Sequence, residues 1–204
     1  VKDKVWFHYA ARYQGAETNA PGNYFNATPN SFVYTPDLSR PAYTRFHNKD
    51  PRSTRLTWQI NPKQKIAFFD TWQSNCICYY ETDGSGGLQY TPDGSIDHRF
   101  SPTHFMLGTW TYPATSRLLI SVGASYYSGC QCDVPTAESS YDNIAVRELS
   151  TGLLYNARAN GVATQNDYGK YTSTVLNQRV SVSYVTGSHN VKVGVQNGWG
   201  AYRR

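Results

Sequence analysis

The chain has 204 residues and a net charge of +5, with 39% hydrophobic, 15% aromatic and 16% charged residues. This composition is too aromatic and too poor in charge for a disordered protein. A negative mean hydropathy, and the lack of any run of about 18 apolar residues, exclude a helical membrane protein. The sequence enters an apolar run without a signal-peptide pattern, and we expect it to be a piece of a longer protein.

Alternation of apolar and polar residues with a period of two, rather than helical periodicity, runs through the chain. Each alternating stretch predicts a half-buried β-strand. In chain order, the predicted strands are 5–13, 55–60, 66–72, 106–112, 118–126, 179–184 and 191–196.

Two of the seven predicted strands alternate less cleanly than the others. Phe105 and Leu107 interrupt the polar face of 106–112. In 66–72 an acidic residue, Asp70, falls among apolar residues, and the register of this strand is ambiguous.

The connections between the predicted strands alternate in length. Short turns at 61–64, 113–116 and 186–189 contrast with long polar segments at about 14–52, 75–102 and 129–174. Short turns at one end and long loops at the other are typical of outer-membrane β-barrels. Strands of about ten residues match the tilted crossing of a bilayer. A soluble β-sandwich produces the same alternation, and remains the alternative.

Aromatic residues near the strand ends favour the barrel. Trp58, Trp110, Tyr112 and Tyr184 lie next to the predicted short turns. Trp and Tyr are enriched at membrane interfaces, where an apolar ring and a polar tip face different surroundings.

The four cysteines form two Cys-x-Cys pairs, Cys76 with Cys78 and Cys130 with Cys132. Metal sites usually use a two-residue spacer, so we predict disulfides rather than metal ligation. Bridges within each pair and bridges between the pairs both fit the sequence.

Several runs resemble segments of TonB-dependent outer-membrane receptors. They are YTPDLSRP at 34–41, RLTWQ at 55–59, PKQKI at 62–66, WQSNCIC at 72–78, WTYPA at 110–114 and SYVTGSH at 183–189. The resemblance implies a plugged barrel of about 22 strands, of which residues 1–204 would be an internal part with about seven antiparallel, up-and-down transmembrane strands.

The resemblance also implies a location and a set of partners. The short turns would face the periplasm, the long loops the exterior, and the apolar face the outer-membrane lipid of a Gram-negative bacterium. The predicted function is part of the wall and the ligand-capturing loops of a receptor for TonB-dependent nutrient uptake. The TonB energy-coupling protein would act through an N-terminal region missing from this chain. The alternative function is a secreted β-sandwich module that binds carbohydrate.

Ligand capture, rather than catalysis, is the chemistry that these residues favour. Aromatic and amide-rich loops supply contact area and adaptable hydrogen bonds to a small ligand, for which an oligosaccharide is one candidate. No nucleophile elbow or zinc-finger spacing is present, and we predict no enzyme activity, metal, cofactor or nucleic-acid partner. The candidate ligand-binding residues are Tyr24, Tyr34, Tyr79, Tyr80, Tyr90, Arg55 and Arg179.

Overall fold

The computed structural model describes residues 4–85, 87–158 and 168–204, and its regular structure is entirely β. Within those residues, no helix has the length and apolar character needed to cross a bilayer. The strands are β1 (Val5–Asn26), β2 (Pro36–Asn61), β3 (Gln64–Tyr80), β4 (Ile96–Pro113), β5 (Leu118–Pro135), β6 (Val146–Arg147), β7 (Leu154–Tyr155), β8 (Gly169–Thr186) and β9 (His189–Arg203).

Seven of these strands form one antiparallel sheet in the order β1-β2-β3-β4-β5-β8-β9. Each strand pairs with its neighbours in sequence, except that the two-stranded β6–β7 ribbon is inserted between β5 and β8. This up-and-down order confirms the predicted all-β class and the seven predicted strands. One edge of β1 and one edge of β9 have no ladder partner among the described residues.

The connections are distributed as the sequence predicts, but the strands are longer than predicted. Tight hairpins join β2 to β3, β4 to β5 and β8 to β9, while the three longer connections lie at the opposite end. The strands of the large sheet have 15 to 26 residues rather than about ten. The expected loops at 14–52, 75–102 and 129–174 are therefore shorter than predicted, because the strands on either side of them extend to Asn26 and from Pro36, to Tyr80 and from Ile96, and to Pro135 and from Gly169. Apolar alternation reports which side chains avoid water, and backbone pairing continues through polar residues beyond it.

The register shows that the apolar positions of neighbouring strands share one face of the sheet. Side chains directly opposite each other in a ladder point to the same side. One continuous row crosses all seven strands of the large sheet: Val5, Trp58, Ile66, Trp110, Val122, Val180 and Val195. We call this side the apolar face and the other side the polar face.

The apolar face carries a band about nine residues tall. On β5 it runs through Leu118, Ile120, Val122, Ala124 and Tyr126, and beyond Tyr126 the face turns polar. Many of its large side chains are solvent-exposed, for example 40% of Val182 and 74% of Val195 on the edge strand β9. Those in the centre of the sheet, such as Ile66, Trp110 and Val122, are half-buried. A face this apolar and this uncovered requires another apolar surface against it.

Aromatic side chains lie near both edges of this band. Toward the short turns, Tyr184 lies opposite Leu118 at the edge of the band and Tyr112 lies opposite Ile120. Trp58 and Trp110 lie in the row of Val122, and the Trp110 ring stacks on the Tyr112 ring at 5.7 Å. Toward the long connections, Tyr9, Tyr126 and Trp199 share one row, and Trp72 lies one row farther on the same face.

The polar face carries many small and hydrophilic side chains at the same level, together with the apolar Trp6 and Leu119. Arg12, Arg55, Arg179 and Lys192 all point to this side. The interruption noted in the sequence at Phe105 and Leu107 also lies here, where the ring of Phe105 contacts Phe69 at 6.2 Å. In the described residues, no second large sheet covers either face, as a sandwich would require.

Two β-bulges lie at the same level of the sheet. Strand β2 has one extra residue near Pro51 relative to both neighbours, and β4 has one near Pro102. Proline cannot donate a ladder hydrogen bond, which explains why both interruptions contain one. Tyr9 donates a hydrogen bond of 2.6 Å to the carbonyl of Pro51, and this bond anchors the first bulge to β1.

Candidate functional site

Among the described residues, most of the largest fully buried side chains lie in the cap formed by the long connections rather than in the sheet. Residues 27–35, 81–95 and 136–158 fold over the end of the sheet around an apolar centre of Tyr90 and Leu154, both fully buried. Leu88 and Ala145 pack against this centre. The Thr91 amide donates to the Leu154 carbonyl (2.9 Å), and the Leu154 amide donates to the Gln89 carbonyl (3.0 Å). The connections therefore support one another as a single unit, which we call the loop cap.

A buried ion pair lies inside the loop cap. The guanidinium of Arg158 donates to the carboxylate of Glu81 at 2.7 Å, and both side chains are almost fully buried. The same guanidinium stacks over the ring of Tyr90, 3.9 Å from its centroid. A charge pair removed from water requires close partners of this kind, because each ion alone is strongly destabilising in the interior.

Asp93 organises a second buried group in the loop cap. It accepts hydrogen bonds from the Asn26 side chain (3.0 Å) and the Asn156 amide (3.2 Å), and from the Thr91 hydroxyl. Asn23 donates its side-chain amide to the carbonyls of Thr82 (2.8 Å) and Tyr90 (2.6 Å). These bonds join β1, and Asn156 directly after β7, to the connection between β3 and β4, and so fix the loops relative to the sheet.

The structure gathers the five predicted tyrosines in the region of the loop cap, but uses them mainly for packing. Tyr90 is fully buried, so its ring lies in the interior rather than on a ligand-accessible surface. Tyr34 donates to the Tyr24 carbonyl (3.0 Å), and Tyr80 stacks on His98 at 5.2 Å. Ligand contact by the four half-buried tyrosines stays a prediction.

Tyr79 has a carboxylate as its hydrogen-bond partner. Its hydroxyl donates to Glu138 (2.9 Å), and its ring contacts those of Phe25 and Tyr43. Burial raises the pKa of Tyr79 well above its ordinary value, and the hydrogen bond to Glu138 raises it further.

This pKa shift predicts an alkaline loss of stability. A raised folded-state pKa contributes stability that is fully present below the unfolded pKa of about 10 and is lost at higher pH. We therefore expect a chemical-denaturation series between pH 9 and pH 11 to show a steeper loss of loop-cap stability in the native chain than in Tyr79→Phe. Tyr141→Phe, at an exposed position, is the control. Parallel pH profiles for all three proteins would contradict the assignment.

Arg55 and Arg179 lie apart from the tyrosines, on the polar face at the level of the apolar band. Arg179 lines a shallow depression with Gly123, Asn177 and Leu107, and Arg55 lines a neighbouring one that shares Leu107. A Cβ at Gly123 would lie 3.2 Å from Nε of Arg179, so the glycine makes room for the guanidinium. The two arginines present positive charge to any anionic group that enters this face.

The structure closes each Cys-x-Cys pair on itself. Cys76 bonds to Cys78 and Cys130 bonds to Cys132, and all four side chains lie on the apolar face beyond the band. His47 lies beside the first pair, with Nδ1 4.0 Å from the Cys78 sulfur. Thiolates are the metal-binding form of cysteine, so this trio does not offer the ligands of a metal site while the disulfide is intact.

Peptide mapping can verify this connectivity. Trypsin should release residues 66–99 and residues 118–147 as separate peptides, each containing one Cys-x-Cys pair. Without reduction, we expect each peptide to lack two hydrogen atoms relative to its reduced form and to remain unlinked to the other. A single cross-linked species that separates only on reduction would show bridges between the pairs instead.

Nothing in the sequence indicates that Arg158, Glu81 and Asp93 are buried, because each lies in a polar stretch that is typical of a solvated loop. It did single out Asp70, whose position the structure now defines. Asp70 is on the apolar face, and its carboxylate binds Nε of Arg52 (2.9 Å) and Nε2 of His104 (2.6 Å). Asp70 lies in the same row as Tyr9, Tyr126 and Trp199, at the edge of the band toward the long connections.

Comparison of the chain with protein-family models, curated proteins and solved structures gave no match. The class that the geometry itself defines is an all-β protein with one seven-stranded antiparallel meander and a packed loop cap at one end.

Proposed function

We propose that the chain forms part of the wall of an outer-membrane β-barrel. The observation that carries this proposal is the uncovered apolar band, nine residues tall, with aromatic side chains near both of its edges and the long connections all beyond one edge. The height of the band suits the apolar belt of a transmembrane barrel. Aromatic residues near its edges, such as Tyr184 at one edge and Tyr126 at the other, suit the two interfaces. The unpaired edges of β1 and β9 are where further strands would continue the wall.

Within that class, we propose a TonB-dependent receptor for uptake of a small nutrient. This narrower proposal is supported by the resemblance of six sequence runs, and by a loop cap that holds many tyrosine rings at the predicted extracellular end. The half-buried Tyr24, Tyr34, Tyr79 and Tyr80 would supply ligand contacts at the loop cap. Arg55 and Arg179 would guide the ligand along the polar face toward the periplasm.

Membrane fractionation tests the broader proposal directly. We expect the protein to separate with outer membranes, to need detergent for extraction, and to migrate faster on gels before heating than after it. Recovery of the protein as a monomer in detergent-free buffer would contradict the proposal.

The uptake role needs its own measurement. We expect accumulation of the nutrient to require an energised inner membrane and the TonB energy-coupling protein, while binding at the cell surface requires neither. Unchanged accumulation after loss of that protein would contradict the TonB-dependent role, although it would not affect the proposal that the chain forms part of a barrel.

A further inference from the structure

A group of ionic side chains from three strands lies at the edge of the apolar band that faces the long connections. Asp70 shares a level with the aromatic residues Tyr9, Tyr126 and Trp199, and both of its oxygens are engaged, by Arg52 and by His104. The Arg52 side chain remains 52% exposed despite this contact. Charged groups therefore begin on the apolar face directly where the apolar side chains end.

Three further cations lie on the same face just beyond that edge. Lys49 pairs in the β2–β3 ladder with Ser74, at the level where Arg203 of β9 pairs with Thr172. Lys170 lies one row farther, opposite Cys132. We call Lys49, Lys170 and Arg203 the cationic border.

The cationic border is not neutralised by neighbouring carboxylates. Within the described part of the chain, the acidic residues on this face are each matched by an arginine: Glu17 by Arg45, Asp70 by Arg52, and Asp97 by Arg99. By contrast, Lys49, Lys170 and Arg203 are exposed and form no ion pair with any described residue. Three positive charges are left facing outward.

We propose that the cationic border binds the phosphate groups of lipid headgroups in the membrane leaflet beside the long connections. The inference rests on the proposed barrel and deepens it by naming a lipid class. A phosphate attracts lysine and arginine side chains strongly, and a surface cation near an anionic membrane adds measurable affinity.

The position of the cationic border favours a lipid over a soluble anion. The cations adjoin the aromatic row, so an acyl chain can lie along the apolar band while the headgroup phosphate meets the charge. Lys49 and Arg203 are five strands apart, about 24 Å at the usual strand spacing. That span is wider than one lipid headgroup, so it suits the phosphates of neighbouring lipids better than one small ion.

Native mass spectrometry of the full chain in neutral detergent micelles tests this inference. The probes are a bisphosphorylated glycolipid and the same lipid without its phosphates. We expect the native chain to retain the phosphorylated lipid at least about tenfold better. In Lys49→Gln/Lys170→Gln/Arg203→Gln, that preference should fall by about tenfold or more.

The control removes the same charge at the opposite end of the sheet. Lys63→Gln/Lys65→Gln/Arg117→Gln, near the short turns, should retain the phosphorylated lipid as the native chain does. Equal retention of the two lipids, or equal losses in the two triple variants, would overturn the inference. If the chain stays monomeric without detergent, the barrel proposal is contradicted as well. If the chain needs detergent but shows no lipid preference, only the lipid site is contradicted.

Discussion

Val180→Arg is expected to weaken folding into phosphatidylcholine vesicles by about 2–4 kcal/mol. Val180 lies at the middle of the apolar band on β8, between Val122 of β5 and Val195 of β9. In the proposed barrel, the guanidinium would be held near the bilayer midplane, where neither water nor a counter-ion reaches it easily. Urea titration of the vesicle-folded fraction, read from gel migration without heating, measures the effect.

The matched control places the same side chain on the opposite face of the same strand. Ser183 lies on the polar face, opposite Leu119 and Lys192. Ser183→Arg adds only a like-charge contact with Lys192, for which we expect less than about 1 kcal/mol. If the two arginines had equal effects, the apolar face would not be the lipid-facing one.

Arg158→Met is expected to destabilise the loop cap by about 3–5 kcal/mol. The substitution keeps much of the side-chain volume but leaves the Glu81 carboxylate buried without its cation, and removes the stacking on Tyr90. Hydrogen exchange should show faster exchange at the loop-cap amides that bond across connections, such as those of Thr91 and Leu154. Amides in the centre of the sheet should change little.

Two further variants separate the buried charge from general damage. Arg147→Met changes an exposed arginine in the same connection and should leave exchange unaltered. Glu81→Gln/Arg158→Met removes both charges and should recover part of the lost protection, because no ion is then left buried alone. If the double variant were no better than Arg158→Met, lost packing rather than an unpaired charge would explain the effect.

The sequence predicted the sheet well because the sheet is governed by a local rule. Alternation in 118–126 and 191–196 placed their side chains on the faces that the ladders show. The short turns were also predictable from local sequence, since Asn, Pro and Gly interrupt the alternation there. Strand length was underestimated because residues such as Thr44 and Thr172 pair through their backbone with no apolar pattern.

The loop cap could not be predicted in the same way, because its order comes from contacts between residues far apart in the chain. Arg158 and Glu81 are 77 residues apart, and Asn26 meets Asp93 across 67. No spacing rule links such positions. The tyrosine-rich loops predicted ligand contacts, and that pattern did not distinguish Tyr90, which is buried, from Tyr24, which is partly exposed.

The two proline bulges have a consequence for how charge is divided between the sides of the sheet. Between Pro51 and the short turn, the even-numbered residues of β2 belong to the apolar face. Between Pro51 and the long connection, the odd-numbered residues do. The bulge at Pro102 shifts the phase of β4 in the same way, which brings Arg99 rather than His98 to the side of the disulfides. Deleting a single residue at Pro51 would restore the phase and rotate Lys49, His47 and Arg45 to the opposite side. Each bulge therefore decides which side of the sheet carries the charged side chains beyond it, with no change in amino-acid composition.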